Sequence, residues 1–107
     1  MEDISDVVNC IKDSILQHVP AKYIYFFGSH VYGEPHAKSD IDIFLVVPDD
    51  CMSLFQLHGN IMYDLYGKDI NYVDLHIDRL SKFNYRKKRS RFEGIVIDKG
   101  RLIYESV

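Results

Sequence analysis

Cysteine is almost missing from this chain: only Cys10 and Cys51 occur, far apart in sequence. Two such residues give neither a disulfide framework nor metal-ligand spacing, so a reduced, cytoplasmic protein is expected. No apolar run approaches the roughly 20 residues that a membrane helix needs. Met1-Glu2-Asp3 is acidic and lacks the basic-then-apolar order of a secretory signal. Repeats, low-complexity tracts and linker-like stretches are also lacking, and 107 residues leave room for one core, a single domain over residues 1–107. Nor is there an excess of basic charge. The net charge is −3, which excludes a simple basic nucleic-acid binder. The charge is uneven, however. Residues 1–53 carry nine acids and three bases, whereas residues 54–107 carry seven acids and ten bases. The second half is therefore the one suited to face an anion.

What the chain does have is apolar content, 47% of its residues, enough for a packed core. Ile4, Val7, Val8, Ile11, Ile15 and Val19 recur at helical spacing, with Asp3 as N-cap and Pro20 after the end. Residues 23–27, Tyr-Ile-Tyr-Phe-Phe, predict a buried strand that stops at Gly28. A helical turn over 29–33 and a loop over 34–39 follow. Residues 40–47 predict a second strand, ended by Pro48. A second long helix is expected over 52–66, with Met52, Phe55, Ile61, Met62 and Leu65 turned inward, capped by Asp50 or Ser53 and closed by Gly67. Residues 70–77 alternate as a third strand. Residues 79–99 predict a basic helical stretch broken near Gly94, and 101–104 a last short strand. The order defines an α/β domain with a small mixed sheet.

The chemistry concentrates between Phe27 and Val47. Gly28-Ser29 stands where a strand hands over to a helical turn. Glycine admits a close ligand, the free N–H groups of the turn favour an anion, and Ser29 adds a hydroxyl donor. Gly28 and Gly33 have P-loop spacing, but Glu34-Pro35 occupies the place of the required Lys-Ser/Thr, which excludes that motif. Asp40 and Asp42 open the second strand two residues apart and so share one face, about 7 Å apart along the backbone. Aspartate is depleted in strands and seldom buried unpaired, so Asp-x-Asp at the mouth of an apolar strand calls for a reason. Asp74 lies inside the third strand. With Val73 and Leu75 facing the core, it shares the opposite face with Tyr72 and His76. If the second and third strands are neighbours, Asp74 meets Asp40 and Asp42. Three carboxylates in contact repel by roughly 3 kcal/mol per pair at ~5 Å, and a cation relieves this. An all-oxygen set suits Mg²⁺ or Mn²⁺ together with substrate phosphates. Asp69, placed at a turn by Gly67-Lys68, is the weaker third acid.

Gly28-Ser29, ten residues, then Asp40-Ile41-Asp42 resembles the signature of the nucleotidyltransferase superfamily related to DNA polymerase beta. In particular, the chain resembles the minimal nucleotidyltransferases found as antitoxins beside HEPN-domain toxins. The resemblance spans nearly the whole chain: Phe27-Gly28-Ser29, Gly33, Ser39 to Asp42, Asp74, and a C-terminal stretch from Gly94 to Glu105. It implies a palm-like sheet with helices packed on one face. It also implies Mg²⁺- or Mn²⁺-dependent transfer of a nucleoside monophosphate, commonly AMP from ATP, to a hydroxyl acceptor. In that branch the acceptor is a tyrosine of the HEPN toxin, which the modification silences. Gly28, Ser29 and Ser39 would bind the nucleotide; Asp40, Asp42 and Asp74 would hold the metal and complete the catalytic site. His30 and Tyr32 stand where many relatives carry arginines, which removes fixed positive charge near a triphosphate. No membrane or direct nucleic-acid contact is expected. Two alternatives are a non-catalytic module that occludes a toxin and a transferase acting on a small molecule. Of the remaining residues, Arg86 to Arg89 with Arg91 read as a solvated helix face, Lys68 as a surface lysine, and His76 as a satisfied, half-buried histidine.

Overall fold

Residues 41–47 are apolar at every position but Asp42, and a strand with two apolar faces has to lie inside a sheet with both faces covered. The computed structural model describes residues 4–32 and 40–106, and there this strand is one of the two central ones. The elements are α1 (Ile4–His18), β1 (Tyr23–Phe27), α2 (Ser29–Tyr32), β2 (Ile41–Val47), α3 (Leu54–Gly67), β3 (Val73–Arg79), α4 (Leu80–Arg86), α5 (Arg91–Lys99) and β4 (Arg101–Glu105). The sheet order is β3-β2-β1-β4. β1 pairs antiparallel with β2 and β4, whereas β2 and β3 are parallel, joined by α3 as the crossover. The α+β class with a mixed sheet is as expected.

Side-chain alternation divides the core in two. Ile41, Ile43, Leu45 and Val47 point to one face with Ile24, Phe26 and Leu75, and there meet Val7, Ile11 and Ile15 of α1 and Leu57, Ile61 and Leu65 of α3. Phe44 and Val46 point to the other face, where Phe83 of α4 and Val96 of α5 join Phe27. The long helices thus lie on one face, as expected, and the short α4 and α5 cover part of the second. No helix among the described residues is long and apolar enough to cross a membrane.

Several boundaries differ from the sequence-based expectation. The third strand starts at Val73 and runs to Arg79. Ile70 instead closes the turn after α3, its N–H donating to the Leu65 carbonyl, and is buried there. The break after α4 falls at 87–90, within the run of like charges, and Gly94 lies inside α5. Ser53, one of the two expected caps, accepts from the Gln56 N–H. Met52 and Phe55 do not face inward: they are exposed, and Leu57 fills the inner position. Asp3 lies outside the described residues.

α1 and α3 are also joined by a polar clasp. The Ser14 hydroxyl, buried within the apolar stripe of α1, donates to Asp64 of α3. Lys68 Nζ stands 3.2 Å from Ser14 Oγ and 3.5 Å from Asp64 Oδ2, and His18 Nε2 is 3.3 Å from the same carboxylate. Lys68 is therefore a tether rather than a free surface lysine. The Ser14 hydrogen bond, followed by His18 and Lys68, holds the Asp64 carboxyl below its ordinary pKa. A carboxyl with a depressed pKa stabilises the fold above its unfolded value of about 3.9 and stops doing so as pH falls through its folded value. Asp64→Asn is therefore expected to melt below the wild type at neutral pH. In thermal melts followed by circular dichroism, that gap should narrow below about pH 4 and close once the carboxylate is protonated. A gap of constant size down to acid pH would show that the clasp does not depend on the ionised carboxylate.

Candidate active site

At the end of β1 the backbone turns at Gly28, which has φ +87°. A Cβ built there would fall on the Asp42 carboxylate. Phe27 and Asp42 are register partners, so the exit of β1 and the entry of β2 are fixed against each other. The Gly28 carbonyl accepts from the Val31 N–H at 3.0 Å, which starts α2 directly at half-buried Ser29. Glycine is needed here for two reasons: the left-handed φ and the close approach of a carboxylate.

The parallel pairing of β2 with β3 sets Asp42 opposite Asp74. Neighbouring strands lie about 4.8 Å apart, and both residues project from the face opposite Ile43 and Leu75. Asp40 is exposed, one residue before β2. Burial raises the Asp42 pKa above the ordinary aspartate value, and the negative charges of Asp74 and Asp40 raise it further. His76 and His30 act in the opposite sense. The structure therefore brings Asp40, Asp42 and Asp74 to one end of the sheet, beside Gly28 and Ser29. Ser39, Gly33, His36 and Lys38 lie outside the described residues. Asp69, at the exit of α3, has φ +63° and is not among the charges that act on Asp42.

Among the described residues, no three His, Cys, Asp or Glu side chains stand close enough to hold an ion as they are. The donors present are nonetheless of the right kind. Asp42 and Asp74 form a pair of carboxylates on adjacent strands, and Asp40 stands at the rim. Hard divalent cations take such oxygen ligands.

His76 contacts one member of this cluster, Asp74. Its Nε2 is 3.4 Å from Asp74 Oδ2. Its ring lies among Phe27, Phe44 and Phe92, with centroids at 5.8, 6.4 and 5.1 Å. The half-buried histidine expected from the sequence is thus also the partner of a candidate site residue. Phe92, from α5, was not foreseen; its only signal is that it is an aromatic directly after the basic run 86–91. That run is not wholly a solvated face. Arg86 Nη1 lies 3.9 Å from Asp78 Oδ1 and 3.8 Å from Glu93 Oε2, two buried acids that link β3 to α5. Burial, and then Glu93, pushes the Asp78 carboxyl up.

A mixed sheet with an acidic pair at the mouth of two parallel strands, beside a Gly-Ser turn, is an arrangement suited to phosphoryl transfer. Residues 9–106 match the polymerase beta nucleotidyltransferase family. The chain belongs to that family. Among solved structures it is similar to a chain of a toxin–antitoxin crystallised with AMP-PNP, at 22% identity and TM-score 0.63, over 92% of this chain and 73% of that one. It is also similar to a chain from the Shewanella oneidensis complex of a tri-AMPylated HEPN toxin with an MNT antitoxin. There the identity is 20% and the TM-score 0.56, over 92% of this chain and 69% of that one. At such identities the likeness establishes the fold. No curated protein matches the chain.

Gly28→Ala is expected to cost about 1–2 kcal/mol from the left-handed φ alone, and more from displacement of the Asp42 carboxylate. Urea unfolding measures this. A variant as stable as wild type would contradict the observed contact.

Proposed function

We propose that this nucleotidyltransferase domain transfers a nucleoside monophosphate, AMP from ATP, to a tyrosine hydroxyl on a helical HEPN-type toxin, and thereby acts as its antitoxin. The observation that carries this reading is the register of Asp42 with Asp74, beside a glycine whose missing Cβ leaves room for the Asp42 carboxylate. The AMP-PNP and AMPylated-toxin complexes of similar fold support the choice of nucleotide and acceptor. Gly28, Ser29 and Ser39 would hold the polyphosphate. Asp40, Asp42 and Asp74 would hold Mg²⁺ or Mn²⁺, which when bound neutralises phosphate charge and lowers the barrier to in-line displacement. Asp74, with His76 beside it, would take the acceptor's proton. The acceptor oxygen bonds to the α-phosphorus, the bond from that phosphorus to the bridging oxygen breaks, and pyrophosphate leaves with the electron pair.

A second reading, occlusion of the toxin without chemistry, is favoured by one observation: the acids are not gathered into an ion-holding group among the described residues. Labelled ATP with Mg²⁺ and a helical toxin separates the two. Label is expected on a partner tyrosine, and Asp42→Asn or Asp74→Asn should reduce the transfer rate at least about a hundredfold. Undiminished labelling in both variants would remove these residues from the chemistry. Absence of label from the wild type, with toxin protection retained in the variants, would favour occlusion.

A further inference from the structure

α3 is apolar on two opposite sides. Leu57, Ile61 and Leu65 are fully buried against the sheet. On the outer side Phe55 is 86%, Tyr63 83% and Tyr66 58% exposed. At 100° per residue these three, with Gly59, form a single line down the solvent side. The sheet covers one of these two apolar sides only and leaves the other to solvent. The three rings leave on the order of 450 Å² uncovered, more than half of the ~800 Å² that each partner contributes to a standard interface.

Gly59 supplies an independent observation. A Cβ there would meet nothing within 4 Å. The fold itself therefore has no use for glycine at this point, although glycine weakens a helix interior relative to alanine. A bare backbone in the middle of an aromatic line does allow close approach by another helix.

We propose that this line is the interface with a second copy of the chain, the two α3 helices crossing at Gly59 about a two-fold axis. Three features select a second copy. Phe55 and Tyr63 flank Gly59 at equal spacing of four residues, so a two-fold axis through Gly59 sets each Phe55 against the other copy's Tyr63, as an isologous contact requires. Asp64 is the sole formally charged residue in α3, and it is bound to Ser14 and Lys68 within its own chain. A chain of net charge −3 thus meets itself on a face without an unpaired charge. A groove of about 460 Å³ lined by Asn60, Tyr63 and Gly67 borders the line and gives the opposing Phe55 ring a place to enter. The acidic cluster is on the other face of the sheet and stays open.

Sedimentation equilibrium of the full chain tests this. The wild type is expected to show twice the 12.5 kDa monomer mass at micromolar concentration. Phe55→Lys and Tyr63→Lys should each weaken association at least tenfold while leaving the thermal melt of the monomer unchanged, because both rings are exposed. Gly59→Leu should do the same by blocking the approach. A wild type that stays monomeric at every concentration overturns the proposal, as does a dimer that survives both lysine variants. A monomeric wild type that binds a different protein through Phe55 and Tyr63 overturns it too, and assigns the line to that protein.

Discussion

The parallel pairing of β2 with β3 is the constraint on which the rest of the molecule depends. It fixes Asp42 against Asp74 through seven consecutive register pairs, from Ile41 with Val73 to Val47 with Arg79. Two unit charges about 5 Å apart repel by roughly 3 kcal/mol at an effective dielectric of 20, so this register is unfavourable by itself. It is held by what lies behind it. Ile41, Ile43 and Leu45 are fully buried, and slipping the strand by one residue would turn them to the opposite face. The hydrophobic core therefore forces the carboxylates together, and the resulting strain in charge sits where a divalent cation would relieve it.

The turn at Gly28 depends on the same register. Antiparallel pairing sets Phe27 beside Asp42, so the residue after Phe27 has a carboxylate where its side chain would otherwise be. The Gly-Ser turn and the Asp-x-Asp strand are thus one steric unit, although ten residues separate them in sequence. His76 adds a third strand to it. The aromatic rings of Phe27, Phe44 and Phe92 limit where its imidazole can go, and its Nε2 limits where Asp74 can go.

The parts legible in the sequence were those with a strong local period or a conflict between residue type and place. Both central strands follow from apolar runs that stop at Gly28 and Pro48, both long helices from helical spacing, and the face shared by Asp74 and His76 from alternation. The acidic residues stood out because carboxylates open an otherwise apolar strand. The parts that were not legible depend on tertiary partners. Phe55 looks like a core residue by type, yet position 57 takes the inner place, because the helix phase is set by Leu57, Ile61 and Leu65 together. Phe92 and the buried acid Glu93 sit in a polar stretch where no period marks them, Ser14 and Asp78 are polar residues at buried positions, and only packing shows what they touch. The start of β3 was misplaced because Ile70, though apolar, serves the helix exit rather than the strand.

α3 connects the two faces of this organisation without coupling them. As the crossover between β2 and β3 it brings the two acidic strands side by side, and its inner residues supply the core that holds them there. Its outer line of rings points away from the sheet. A contact made on that line bears on a helix already fixed to α1 by Ser14, Asp64 and Lys68, and the strand register beneath is set by the buried Ile41, Ile43 and Leu45, which such a contact does not reach. Association through α3 therefore leaves the separation of Asp42 from Asp74 unchanged. One short chain can in this way present a sticky helix on one side and an open acidic mouth on the other.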